Sequence, residues 1–257
     1  MEMKKRNRKE LVVGYVCTGN LCRSPIAEAL AKKMVNEIGA ERELLEITSR
    51  GTGVERMQPP NDFKADEFLP YIEKALTTGF LSNGGEKSLC MPTITKMARR
   101  ALETKGSDRI ATQDIIFTML QIGDHYRNIA VAEVITPHEV VDSHIPPILE
   151  THVPRQLTKS DDIDIILAMS NENKSSAKHI FLGADRIPEI ITLGESIMNP
   201  TVGIPDPMAG NLQEYRNAVE EFMPIVARSI TRLVLYSIDM GMRRLISSVM
   251  KQHNEDR

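Results

Sequence analysis

The stretch LVVGYVCTGNLCRSPIAEALAKK, residues 11–33, decides the fold. Leu11 to Val16 is a short apolar run with three valines, the pattern of a buried strand. It breaks into a loop containing Gly19. Beyond the loop, Ser24 and Pro25 open a run in which Ile26, Leu30 and Val35 recur at helical spacing, so the loop closes onto a helix N-terminus. Strand, loop and helix in immediate succession are the opening unit of a layered α/β fold.

Chemistry sits at the two ends of that loop. Cys17 offers a thiol and Arg23 a guanidinium six positions later. Backbone N–H groups of Thr18, Gly19, Asn20, Leu21, Cys22, Arg23 and Ser24 are expected to turn inward as an anion nest. In this reading Gly19 takes a conformation other residues resist, and Arg23 grips two oxygens of a phosphoryl group. Such surroundings favour the thiolate of Cys17, the form that attacks phosphorus in line while Arg23 and the amides hold the equatorial oxygens. Ser24 would then hydrogen-bond the sulfur as it leaves. Singly, Cys17 reads as a buried packing residue and Arg23 as a helix-start cation; the joint spacing carries the specificity.

Working outward, Glu46 to Ser49 followed by Gly51 reads as a second strand and turn, Ile163 to Met169 as a buried parallel strand, and Ile187 to Leu193 as a fourth. Val219, Phe222, Val226, Ile230 and Leu233 mark a long helix over Tyr215 to Met240 that packs on the sheet. Between these parts the rhythm changes. Pro59 and Pro60, a helix-like Phe63 to Leu76, Gly84 and Gly85, a helix-like Thr93 to Glu103 and the run Ile115 to Val134 describe a mostly helical insertion. The expected fold is therefore α/β: a doubly wound parallel sheet with flanking helices, a phosphate loop after the first strand, and a helical insertion.

From Cys17 to Pro25 the residues resemble the low-molecular-weight protein tyrosine phosphatase signature, Cys-x-Gly-Asn-x-Cys-Arg-Ser-Pro. Ser49 to Thr52 is similar to that family's second-strand end, His152 to Thr158 to its His-x-x-Arg-Gln segment, and Ile204 to Pro207 to its general-acid loop. The resemblance implies a phosphatase domain over 11–53 and 146–257, with 54–145 as a helical insertion or cap. It implies that Asp206 protonates the leaving oxygen and later activates water, and that Asn20, Ser49 and His152 support the loop. It also implies reversible oxidation of Cys17 with Cys22 and, from the apolar Leu21, a phosphotyrosine-type substrate. No cofactor and no metal are called for.

One departure bears on substrate choice. Where the family walls its pocket with aromatics, this chain has Met208 and Ala209, and Val54 to Met57. Phe63, Phe68, Tyr71, Phe80, Phe117 and Tyr126 are the insertion's aromatic stock. Their commoner use is packing, so they are expected to form the insertion's own small core, with a substrate-selecting cap as the alternative.

Bulk properties agree. In 257 residues, Lys plus Arg (32) nearly balances Asp plus Glu (35), so no net field points to nucleic acid or an anionic membrane, and aromatics at 4% with no Trp leave no base-stacking platform. Leu11 to Val16 is too short for a signal or a span, and no targeting segment is evident. Three cysteines make a poor disulfide framework and suit the cytoplasm. The expected partners are a phosphorylated protein or a small aryl phosphate, with no nucleic acid and no membrane. The Met-containing tail from Tyr236 to Met250 leaves the oligomeric state open. Two other functions compete. A thiol-coupled arsenate reductase would need a relay thiol beyond the loop, where only Cys90 stands, and a non-catalytic phosphoprotein-binding module would capture phosphate without turnover.

Overall fold

The computed structural model describes residues 11–39, 44–54, 65–78, 91–135 and 152–255. Strand β1 (Leu11–Cys17) lies inside a four-stranded parallel sheet of order β2-β1-β3-β4, with β2 at Leu45–Gly51, β3 at Ile165–Ala168 and β4 at Glu189–Thr192. Its register runs Cys17 against Gly51 on one side and Val16 against Ala168 on the other. Because β1 has helices over both faces, its residues are nearly all buried, and the apolar run follows. Side chains alternate across it. Val13, Tyr15 and Cys17 join the larger core, while Val12 and Val16 join a smaller one with Leu157, Ile163, Ile166, Ala177, Phe181 and Ile190. Gly14 faces the smaller core, where a Cβ would fall 2.8 Å from the Ile163 side chain.

Helix α1 (Arg23–Glu37) covers the larger core with Ile26, Ala27, Leu30, Ala31 and Val35. On the opposite face lies α5 (Asn171–Ile180), started by Ser170, whose side chain accepts from Asn173 N. The short α6 (Leu193–Ser196) follows β4 directly. The last helix, α7, runs Leu212–Glu255 and packs on α1. Its residues Tyr215, Val219, Phe222, Val226, Ile230 and Leu233 are buried at the spacing read from the sequence. It is longer at both ends than Tyr215 to Met240, because apolar periodicity marks only the part that packs. Beyond Leu233 the helix continues with Leu235, Tyr236 and Met242 exposed.

Helices α2 (Ala65–Thr77), α3 (Met91–Glu103) and α4 (Arg109–Ile135) form a further layer, in which α4 packs against both α1 and α7. Phe68, Ile72, Ala98, Ile115, Met119, Tyr126 and Val131 are buried in the same cluster as Val13, Ile26 and Phe222. The Tyr126 ring meets Tyr215 of α7 edge-on at 6.0 Å. This corrects one expectation: the aromatics do not make a core separate from that of the sheet, because α4 lies directly on α1 and α7 and shares their interior. Phe117 is exposed, and Phe63 and Phe80 lie outside the described residues. Among the described residues no helix is long and apolar enough to cross a membrane.

Topology locates the site. From β1 the chain moves to β2 on one side and returns to β3 on the other, so the carboxyl end of β1 is a topological switch point, where parallel sheets open a crevice. Cys17 is the last residue of β1.

Candidate active site

Residues 18–22 bridge β1 and α1 in a tight loop. Its left-handed backbone falls at Asn20 (φ 53°), one position past the glycine to which the sequence reading assigned unusual freedom. Asparagine tolerates that region better than most residues, and here every polar group of its side chain is used. Asn20 Nδ2 donates to Ser24 Oγ (3.0 Å) and to Ser49 Oγ (2.8 Å), and Asn20 Oδ1 accepts from Arg155 N (2.9 Å). Its backbone N–H donates to Cys17 Sγ at 3.2 Å, and its carbonyl meets His152 Nε2 at 2.9 Å. Asn20, Ser49 and His152 therefore do converge on the loop.

Cys17 Sγ lies 3.0 Å from Ser24 Oγ. Since Ser24 Oγ already accepts from Asn20, its own proton points to the sulfur or to the Arg50 carbonyl, 3.3 Å away. Ser49 Oγ in turn donates to Glu28 Oε2 at 2.5 Å, and Lys32 Nζ reaches Glu28 Oε1 at 2.6 Å. Burial of the Glu28 carboxyl opposes its ionisation, but Lys32 and Ser49 outweigh this and hold it below the ordinary 4.5. The sequence reading missed Glu28, whose signal is a carboxylate inside the apolar run PIAEALA. It also missed Asn173, which donates to Thr18 Oγ1 at 2.9 Å.

Gly51 holds the loop from the strand beside it. A Cβ there would fall 2.6 Å from Thr18 O and 3.0 Å from Asn20 N, so β2 passes this close only as glycine. Gly53 N donates to Thr18 O, and Thr52 N to Cys17 O. The segment 152–156 is laid along the same edge by Gly51 N to Arg155 O and Leu157 N to Gly51 O.

A cavity of about 160 Å³ opens over the loop, lined by Cys17, Thr18, Gly19, Leu21, Cys22, Arg23, Gly53, Phe68, Tyr71, Asp206 and Met208. Arg23 Nη2 stands 3.0 Å from Asp206 Oδ2, which brings the two outer members of the expected site together in the cavity that Cys17 also lines. Phe68 and Tyr71 come from α2, with ring centroids 6.4 Å apart. They supply the aromatic wall that Met208 and Ala209 do not. Burial, then the Asp206 charge, pushes the Tyr71 hydroxyl above its usual range, so it stays neutral. The loop that carries Asp206 is fastened to the end of the same helix and the residue after it: Lys74 Nζ donates to Met208 O (3.2 Å), Thr78 Oγ1 to Ala209 O (3.1 Å) and Asn211 Nδ2 to Thr78 O (3.3 Å).

Cys22, at the helix entry, points away into the core, 3.4 Å from the Tyr215 hydroxyl. Burial first, and the Asp206 charge second, push its thiol up to about 12, which leaves it protonated at neutral pH. His152 is pushed the other way, below 6.5, by burial and by the charge of Arg127. As a neutral ring it donates from Nε2 to the Asn20 carbonyl. Arg127, on α4, was not read from the sequence at all, yet its Nη1 donates to Leu21 O at 2.5 Å. Among the described residues no three His, Cys, Asp or Glu side chains cluster as a metal site, and Cys90 lies outside those residues.

A thiol, a guanidinium and a carboxylate thus converge on one small cavity, around a loop pinned by hydrogen bonds. Residues 12–78 match the family described as Low molecular weight phosphotyrosine protein phosphatase. The Low molecular weight phosphotyrosine protein phosphatase of Schizosaccharomyces pombe is 47% identical over 45 residues, 18% of this chain and 29% of that protein. The chain thus spans about a third or less of several relatives it matches. A crystal structure of the low molecular weight protein tyrosine phosphatase from T. tengcongensis covers 86% of this chain and 99% of its own, at 19% identity and a TM-score of 0.47. The Low molecular weight protein-tyrosine-phosphatase PtpB of Staphylococcus haemolyticus is 45% identical over 113 residues, 44% of this chain and 77% of that protein. With that degree of identity over most of the staphylococcal protein, the chain belongs to the low molecular weight protein-tyrosine-phosphatase family.

Proposed function

We propose that this protein hydrolyses phosphate monoesters through a phosphocysteine on Cys17, with aryl phosphates of the phosphotyrosine type as favoured substrates. The observation that carries the reading is the convergence of Cys17, Arg23 and Asp206 on one cavity lined by the loop that follows β1. In the first step the Cys17 thiolate attacks phosphorus and forms the S–P bond. The ester O–P bond breaks, and the proton of Asp206 passes to the leaving oxygen. Arg23 exchanges its contact with Asp206 for two phosphoryl oxygens, and the loop amides take the charge that develops on them. In the second step Asp206 takes a proton from water. That water attacks phosphorus, and the sulfur leaves toward Ser24.

The wall made by Phe68 and Tyr71 supports an aryl substrate, because a planar ring gains about 0.5–1.5 kcal/mol against aromatic neighbours beyond simple burial. Cys17 and Cys22 are both free thiols, which suits a reducing compartment such as the cytoplasm. The insertion, 54–145 in sequence, acts in this reading as a wall and brace for the site. A phosphorylated protein or a small aryl phosphate is the partner it would receive. The test is steady-state hydrolysis of a small aryl phosphate in the presence of a metal chelator. Turnover by the wild type, and its loss by roughly 10⁴-fold or more in Cys17→Ser, are expected. Equal rates in the two proteins would remove the nucleophile assignment.

A further inference from the structure

Among the described residues, the two chemical steps leave a buried cation without a task. Arg127 of α4 has a side chain only 3% exposed, and its guanidinium is held on every edge. Nη1 donates to the Leu21 carbonyl at 2.5 Å and to Asp124 Oδ1 at 2.6 Å, while Nε and Nη2 both donate to Asn128 Oδ1. A buried charge is costly unless paired, and Asp124 meets that need by itself. The bond to Leu21 is therefore additional, and it falls on the phosphate loop.

Peptide geometry gives that bond its consequence. A trans peptide is planar, with its N–H antiparallel to its C=O. Fixing the Leu21 carbonyl toward α4 therefore fixes the Cys22 N–H in the opposite direction, toward the cavity that Leu21, Cys22 and Arg23 line. The preceding peptide is handled alike. His152 holds the Asn20 carbonyl, which turns the Leu21 N–H inward. Arg127 also helps keep that ring neutral, the form that donates from Nε2.

We propose that Arg127 is a positioning residue for the phosphate cradle: through the Leu21 carbonyl it aims and polarises the Cys22 amide at the phosphoryl oxygens, so the inserted helix completes the cradle. The inference rests on the reading of residues 17–24 as a phosphate cradle. Because Asn128 locks the fork, the amide is aimed before substrate arrives, which is the condition under which a donor stabilises developing charge most.

The experiment measures vanadate affinity by calorimetry, kcat and KM on an aryl phosphate, and the thermal midpoint, for wild type, Arg127→Gln and Arg127→Lys. Vanadate binding needs no turnover, so the cradle is read even if the hydrolytic reading fails. For Arg127→Gln, vanadate affinity and kcat are both expected to fall roughly 10- to 100-fold, less than for outright loss of an oxyanion donor, because the amide is misdirected and not removed. KM should stay within about threefold, since ground-state binding still has Arg23. Arg127→Lys, which keeps the charge but not the fork, should lie between. A folded Arg127→Gln with wild-type vanadate affinity and kcat would overturn the proposal. Should the Gln variant not fold, Arg127→Lys decides: a loss of about threefold or more supports the proposal, and unchanged affinity overturns it. A wild type that binds no vanadate overturns the cradle and this inference together.

Discussion

The loop 17–24 and the helical layer α2–α4, whose α2 lines the same cavity with Phe68 and Tyr71, contribute to the site by different routes. The loop takes its spacing from one short stretch of sequence, in which Asn20 bonds Ser24 four positions on and Cys17 three back and the next helix begins at Arg23, although Ser49, His152 and Arg155 also hold it from a distance. The layer contributes single side chains from far away, such as Arg127, 106 positions from the carbonyl it holds, and Lys74, 134 positions from Met208. The difference teaches where selectivity and chemistry are stored. In the proposed reading, bond breaking depends on the compact motif from Cys17 to Ser24. The aromatic wall and the placement of the loop that carries Asp206 depend on how a neighbouring layer is seated.

Three measurements sharpen or break that division. The largest effect is expected from Asp206→Asn, which removes the proposed proton donor and leaves the proposed cradle intact. Turnover of an aryl phosphate should fall about 10²- to 10⁴-fold, while vanadate affinity stays near wild type. If binding falls as far as turnover, Asp206 serves the cradle and not the leaving group.

Next is Glu28→Gln, which tests the loop's support. The folded Glu28 carboxyl titrates below its ordinary 4.5, so its ionised form favours folding above that pH, and the contribution fades as pH drops toward the folded value. Urea denaturation should show the variant less stable by about 1–3 kcal/mol at pH 7, with the gap narrowing as the pH is taken below 4.5. A gap that does not change with pH would assign the loss to packing alone.

Smallest is Tyr71→Ala, on the half-buried side of the wall. Its kcat/KM on an aryl phosphate should drop roughly 2- to 13-fold, the equivalent of one aromatic contact, with little change on an alkyl phosphate. Equal losses on both substrates would mean that α2 only closes the cavity.

Much of the fold and the centre of the site are legible in the sequence, for reasons particular to each part. The strand and loop around Cys17 announce themselves because a buried central strand must be apolar and an anion nest at a helix entry needs its spacing. The periodic stretch of α7 is legible because it packs on α1 and α4; past Leu233 the helix carries Leu235, Tyr236 and Met242 exposed, and what its tail packs on is not written in the sequence. Glu28 hides in a helical run, where a glutamate usually means solvent. Arg127 has no local signature, since its meaning lies in the carbonyl it meets across the fold. Phe68 and Tyr71 show as aromatics at helical spacing, but whether they face a core or a cavity is decided by where α2 sits. Gly19 illustrates the opposite error: the glycine drew the backbone argument, and the left-handed residue is Asn20.

The most direct test of the central claim is to trap the intermediate. Asp206→Asn is mixed with an aryl phosphate that carries a good leaving group, quenched in acid within the first turnover, digested and read by mass spectrometry. With the leaving group needing no proton and water no longer activated, phosphoenzyme should accumulate. The account predicts one added phosphoryl group, on the peptide that contains Cys17, and none in Cys17→Ser/Asp206→Asn treated the same way at the same time point. Product released from Asp206→Asn with no phosphoryl group ever found on Cys17 would contradict it.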